Sequence, residues 1–351
     1  MTPNPIAHRS PAKLMKRLAA FLVALLWLWS AGFVAATAQS IAVGLLAFAA
    51  YPLALAVAPA LRRRAIVLVF GALGGVALAL FFARRPSNDR GWEEDQAVLP
   101  AAEFNRAGDG RVESVLVRNI RDFRYRSTKA GDWEPRRYDK RFDLSRLERL
   151  DFGLCRFPES NLAAHTFLSF GFGEQGFLCV SAEIRKERGE KFSVLRGLYR
   201  NYEIMYVIGD ERDLIALRTN YRGDPVYLFP TNATPTRARE IFRDVLRAAV
   251  DLRERPAFYN TVSNNCSSVI RDHVNRFARD RVPYDFRVLF PARADEILAE
   301  RGHIVGAASL DEARRLYLVN GKARQSRDDP FFSWRIRGLE PPVPEPSPTP
   351  P

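Results

Sequence analysis

The chain is poor in the residues that usually carry chemistry, with three cysteines and four histidines in 351 residues. No CxxC and no HxxxH pair occurs, which leaves no pattern for a zinc site. A GxxxxGK phosphate loop and a GxSxG nucleophile elbow are also missing, so P-loop and α/β-hydrolase chemistry drop out. There is no internal repeat. Acidic residues are absent from residues 1–85, where nine Lys and Arg stand without one Asp or Glu. Removing those nine from the total of 53 leaves 44 basic against 40 acidic residues over 86–351. The formal net charge of +13 is therefore concentrated in the N-terminal segment, and no single-sign field is expected on the rest. With no recognised module either, no nucleic-acid partner is expected.

What the first 85 residues do contain is apolar. Leu18 to Leu61 runs without a charge, and a second apolar run spans Ala65–Ala83. A membrane helix needs about 20 apolar residues, so three spans are expected, at 18–38, 41–61 and 65–83. Thr37, Gln39 and Ser40 mark the first turn, and Pro52 and Pro59 fall in the second span, where lipid tolerates a kink. A cleaved signal peptide competes for the first run, but that run exceeds a signal core and further spans follow. Lys13, Lys16 and Arg17 precede span one, and Arg62, Arg63 and Arg64 separate spans two and three. Both basic clusters belong on the cytoplasmic side, which places everything after Pro86 outside the cytoplasm.

Residues 86–336 suffice for an α+β domain. Short β-type patterns lie at 112–117, 123–126, 165–172, 177–184, 204–208 and 226–229, with a hairpin turn at 173–176. Thr234 and Pro235 open a helix. Asn264 or Asn265 caps a second over roughly 266–278. Ser309 with Glu312 forms a capping box for a third, ending near Gly321. Residues 337–351 read as a proline-rich tail outside the fold.

Cys155, Cys179 and Cys266 offer one candidate nucleophile. Outside the cytoplasm Cys155 and Cys179 are free to pair, and the odd count leaves at least one thiol unpaired within the chain. Cys266 opens a helix, where free amides and the helix dipole stabilise a thiolate, and its neighbours are polar. The bland alternative is a buried cysteine at a helix start. A thiol nucleophile needs a base, which a third polar group orients. His8 precedes the first span, His303 lies in a loop, and His273 stands two turns along the same helix, about 10 Å from Cys266. His165 opens the strand HTFLSFGF and remains the candidate. On the next strand, alternation puts Cys179, Ser181 and Glu183 on one face. Glu183 falls beside His165 if paired residue numbers sum to 348; a sum of 349 brings Ile184 there instead. The pattern alone leaves the choice between Glu183 and Ser181 open. No metal or cofactor is expected.

Several stretches resemble one family, the bacterial envelope proteins described by the Lnb N-terminal periplasmic domain. They are PSNDRGW at 86–92, VRNIRDFRYRS at 117–127, AHTFLSFGF at 164–172, SAEIRKERGE at 181–190, RTNYRGDPVYLF at 218–229 and YNTVSNNCSS at 259–268. That family resembles permuted NlpC/P60 papain-like thiol enzymes, in which a strand histidine precedes a helix-start cysteine, the order of His165 and Cys266. The resemblance covers roughly residues 86–290 and leaves out the N-terminal spans; those spans and their basic clusters give the expectation of an inner-membrane, multi-pass protein whose soluble domain faces the periplasm. The resemblance implies a thiol acyltransferase or hydrolase with Cys266 as nucleophile, His165 as base and Glu183 or Ser181 as orienting group. The Cys266 amide and the Asn265 side chain would hold the oxyanion. Membrane lipids or lipoproteins are the implied substrates, with lipoprotein N-acylation as one outcome and peptidoglycan amide cleavage as another. A non-catalytic envelope module is the alternative of a different class, in which Arg185, Lys186 and Arg222 bind lipid head groups or a partner.

Overall fold

The structure, a computed structural model, describes residues 11–38, 41–58, 60–129 and 131–342. His8 and the tail from 343 onward lie outside the described residues. The chain divides into two compact units, one comprising residues up to Pro86 together with Lys191–Tyr202, the other Ser87–Glu190 and Glu203 onward.

The first unit is helical: α1 (Pro11–Thr37), α2 (Ile41–Val57) and α3 (Ala60–Ala83). Leu18–Thr37 and Arg62–Ala83 are each long and apolar enough to cross a membrane, and α2 is a shorter apolar helix containing Pro52. Leu22, Leu45, Leu46 and Leu73 stay exposed on these helices, as lipid-facing side chains do. The second apolar stretch ends as a helix at Val57 rather than at residue 61. Arg62, Arg63 and Arg64 accordingly sit in the first turns of α3, not in a linker. A segment expected to belong to the soluble domain joins this unit. There Ser193 caps α4 (Val194–Leu198), and Tyr199 is buried with Phe33, Ala36 and Ala77. The Tyr199 hydroxyl donates to the Trp29 carbonyl at 3.1 Å, and Arg84 donates to the Tyr199 carbonyl at 3.1 Å and to Asn201 Oδ1 at 2.8 Å. Gly32 is required here, since a Cβ would lie 2.2 Å from the Tyr199 hydroxyl oxygen.

The second unit is α+β. Its strands are β1 (Ala101–Arg106), β2 (Val112–Arg121), β3 (Arg124–Tyr125), β4 (Trp133–Glu134), β5 (Arg137–Asp143), β6 (Arg149–Arg156), β7 (Ala164–Gly171), β8 (Phe177–Arg185), β9 (Glu203–Gly209) and β10 (Val226–Pro230). Eight of them form one mixed sheet in the order β1-β2-β9-β8-β7-β6-β10, with β5 also on β2, while β3 and β4 pair separately. The helices are α5 (Glu211–Ala216), α6 (Pro235–Glu254), α7 (Cys266–Asn275), α8 (Phe286–Leu289), α9 (Ala294–Glu300), α10 (Leu310–Leu316), α11 (Asn320–Gln325) and α12 (Phe332–Arg335). The expected third helix is therefore two, α10 and α11.

Both faces of the sheet are covered, which is why every residue of β7 is buried. Alternation sends Leu168 and Phe170 to one face, where Phe170 meets Phe242 of α6 edge-on with centroids 5.0 Å apart. Phe167 and Cys179 point to the other face, into a core with Leu214, Ile215, Ala323 and Phe332 from α5, α11 and α12. Chain order set this up, because α6 and α7 follow β10 while α11 and α12 close the chain.

The fold also reaches past Ile336, where a tail was expected to begin. The Arg337 side chain is buried and pairs with Asp151 at 2.7 Å and with both oxygens of Glu211 at 2.7 Å. It also donates to the Ser169 hydroxyl at 3.1 Å and the Ser333 carbonyl at 2.7 Å. The boundary was misread because a charged residue beside prolines looks like surface, while its buried acidic partners lie far back in sequence.

Candidate active site

The β7–β8 ladder pairs Leu168 with Val180 and Ser169 with Cys179. This is the register whose numbers sum to 348, and it places Ser181 and Glu183 on the face of His165. His165 Nε2 lies 2.8 Å from Ser181 Oγ, and Ser181 donates to Glu183 Oε1 at 2.8 Å. A serine hydroxyl has one proton, and here it goes to the carboxylate. His165 must then donate through Nε2–H, which leaves Nδ1 as the unprotonated, accepting nitrogen. Both readings of the orienting group turn out to be partial: Ser181 touches the ring and Glu183 anchors Ser181, standing 3.6 Å from Nε2 itself.

The charges around the relay fix its protonation. Burial, reinforced by Arg218 and Arg222 and opposed by Glu183, pushes the His165 imidazole down to about 3. Burial would raise the Glu183 carboxyl, but His165, Arg218, Arg121 and the Ser181 hydrogen bond overcome it and bring it down to about 2. At neutral pH the site therefore holds a neutral imidazole and a carboxylate. Arg218 and Arg222 stand on a π-helical turn, Leu217–Arg222, ended by Gly223 at φ 75°. Such turns concentrate at functional sites. Sequence patterning did not single out Arg218; its only trace was its place in the RTNYRGDPVYLF stretch.

Cys266 is half-buried at the first position of α7. Asn265 caps the helix by accepting from Ser267 N at 3.0 Å and Ser268 N at 2.9 Å, and Ser268 Oγ closes the box on Asn265 N at 2.9 Å. The Asn265 Nδ2 donates to the Thr261 carbonyl at 2.8 Å. Its carbonyl oxygen is thus committed to the cap and one Nδ2 hydrogen to Thr261, and the Cys266 backbone N–H, at the first helical position, is a free donor beside the thiol. The first turn of α7 seats on β7 through Thr166 Oγ1 and Ser267 Oγ, 3.1 Å apart. His165 and Cys266 are the residues immediately before these two. Alternation turns the His165 ring to the opposite face from Thr166, and no hydrogen bond joins it to Cys266; the Cys266 Sγ contacts Ser267 Oγ at 3.9 Å.

The other candidates take structural places. His273 has both ring nitrogens occupied, by Asp244 at 2.6 Å and the Tyr206 hydroxyl at 2.5 Å. His303 Nδ1 contacts Asn232 Oδ1 at 3.2 Å. Cys155 and Cys179 are free and buried on β6 and β8, with β7 between them. Strands two apart are separated by roughly 9.5 Å, beyond disulfide reach. Burial raises both thiols, Cys155 to about 11, so neither competes with Cys266. Arg185 is spent inside the fold, donating to the Gln96 and Ala97 carbonyls at 3.0 and 2.8 Å and to Asn88 Oδ1 at 2.8 Å. Among the described residues no cluster of metal-ligating side chains occurs.

On the opposite side of the sheet from His165, between β6, β7, α6, α7 and α9, lies a cavity of about 280 Å³. Ser267, Ile270 and Val274 of α7 form one wall, and Leu150, Leu168 and Ile297 line its interior.

A mixed sheet with helices on both faces makes this unit an α+β domain, which carries a helix-start cysteine on α7 and a hydrogen-bonded histidine on β7. Residues 134–292, from β4 to the turn before α9, match the family model of the Lnb N-terminal periplasmic domain. The match includes His165, Ser181, Glu183, Arg218 and Cys266 and leaves out the N-terminal helices. That domain name and the two long apolar helices fit a membrane protein. No curated protein and no solved structure matches the chain.

Proposed function

We propose that this protein is a membrane-anchored thiol acyltransferase or hydrolase of the bacterial envelope, its site on the periplasmic side and its fold a permuted papain-like one. The observation that carries the reading is the His165–Ser181–Glu183 relay. It fixes the imidazole in the tautomer that leaves Nδ1 able to accept a proton, on the strand against which the Cys266 helix is seated. No hydrogen bond joins the two residues before substrate binds, as is common for catalytic contacts, so the reading requires Cys266 Sγ to be brought from the α7 side of β7 to His165 Nδ1 in the substrate-bound state.

The proton of Cys266 passes to His165 Nδ1, and the thiolate adds to an ester or amide carbonyl. The Cys266 backbone N–H stabilises the oxyanion. The carbon–sulfur bond forms as the carbon–oxygen or carbon–nitrogen bond breaks, and the leaving group takes the proton from the imidazolium, which Glu183 stabilises through Ser181. An amine or water then resolves the thioester and restores the thiol. Arg218 and Arg222 oppose the imidazolium, so the base works only transiently charged.

Thiol labelling with iodoacetamide on the full chain in detergent tests this. Cys266 is expected to label at least tenfold faster than a free peptide thiol, and His165→Ala to abolish that advantage. Ordinary labelling rates, unaffected by His165→Ala, would remove the catalytic reading in favour of an envelope binding module. Lipid and muropeptide profiles of cells carrying Cys266→Ala then separate acyl transfer from wall cleavage.

A further inference from the structure

We infer that the cavity along α7 binds an amphiphile with a single alkyl chain and an anionic end, the long-chain fatty-acid anion being its simplest form. At about 280 Å³ the cavity is nearly twice the roughly 150 Å³ that suffices to bind benzene. Its walls are apolar: Leu150, Phe152, Leu168, Ile241, Ile270 and Val274 line it. Asn232, Arg279 and Asp280 are exposed lining residues and mark its mouth. Ser267, at the other end of the α7 wall, is buried. A cavity of that volume suits one alkyl chain rather than two.

The mouth is built for an anion. Arg237 and Arg279 line it and make no ion pair among the described residues, whereas Arg287 is held by Asp285 and Glu300. Asp280, the acidic residue of the lining, is paired to Arg301. Arg237 also stands in the first turn of α6, a long helix with no acidic residue in that turn, so amide dipoles and guanidinium add. Arg271, deeper along the α7 wall, pairs with Asp272 at 2.7 Å but keeps a buried Nε with no hydrogen-bond partner. Apolar walls ending in unspent positive charge are what a fatty-acid anion complements.

With its carboxylate at the mouth, the ligand's methyl end points toward Ser267. Occupancy in this sense needs no thiol and is a site beyond the Cys266 reading. The full chain in lipid nanodiscs is photolabelled with a diazirine-bearing palmitate, and crosslinked peptides are mapped by mass spectrometry. Labelling is expected on the peptides containing 150–168 and 267–279, at least tenfold above that by the corresponding neutral alcohol. The pair Arg237→Glu and Arg279→Glu should reduce it at least tenfold, as should Val274→Trp, which fills the cavity. Cys266→Ala should leave it unchanged. Equal labelling by the alcohol, insensitivity to both arginine reversals, or equal competition by a two-chain phospholipid overturns the inference. Because Val274→Trp can fail to fold, the arginine pair on the surface gives the deciding arm. Labelling that vanishes in Cys266→Ala would mean covalent capture and also overturns it, while slow thiol chemistry with intact labelling removes the catalytic reading alone.

Discussion

Acidification should unfold this protein by a route that runs through His165. In the unfolded chain an imidazole takes its proton near 6.5, whereas in the fold burial and the flanking Arg218 and Arg222 hold it down to about 3. A folded pKa below the unfolded one means the unfolded state binds more protons between the two values. The stabilising contribution is then complete above 6.5 and is lost as pH falls toward 3. At 1.36 kcal/mol per pH unit, the loss between pH 7 and pH 4.5 is about 2.5 kcal/mol. Glu183, lowered to about 2, gives a contribution complete above its unfolded value of 4.5 and lost as pH falls through 2. Asp122, raised to about 6 chiefly by burial, and His303, lowered chiefly by burial, also titrate within this window, so the His165 component is read as the difference between wild type and a His165 variant. For a domain of this size it corresponds to a fall of roughly 5–10 °C in Tm. The assay is tryptophan-fluorescence melting of the full chain in detergent at half-unit pH steps, for wild type and His165→Asn. The variant will be less stable at pH 7, having lost the Ser181 contact, but its curve should be flatter by about 2.5 kcal/mol over the window. Parallel curves, or an NMR titration showing His165 protonating near 6.5, would refute a buried neutral imidazole and with it the tautomer argument.

Arg337→Met should cost on the order of 3–5 kcal/mol, since it leaves Glu211 buried without its cation and Asp151 with Arg149 alone; a Tm unchanged within 2 °C would contradict the buried network. Gly153→Ala should destabilise by about 1–3 kcal/mol, because its Cβ would stand 2.2 Å from the Phe167 ring. Native-state alkylation should modify Cys266 alone, with Cys155 and Cys179 reacting only in denaturant and without reductant; a requirement for reductant would reveal a disulfide. Gly32→Leu should increase proteolysis within 191–202 by displacing Tyr199, and an unchanged cleavage pattern would refute that packing.

The legible parts of this protein were those whose pattern is local. Strands β7 to β10 and the caps at Thr234 and Ser309 follow from alternation, proline position and side-chain acceptors within three residues of each other. Asn265 was legible as a cap, while the donation of its Nδ2 to the Thr261 carbonyl, made within an irregular turn, was not. What the pattern could not supply was anything decided across the sheet. β6 was missed because Arg149, Asp151 and Gly153 interrupt its apolar residues, and RLDFGLCR hides Asp151 as the partner of Arg337 near the far end of the chain. The relay at His165 sits between these extremes. Its residue types and face were readable, while the choice between Ser181 and Glu183 waited on a register that only the packed strands could set. Once that register was fixed, the question changed form: a single hydroxyl proton, committed to the carboxylate, makes Ser181 and Glu183 successive members of one chain rather than rivals.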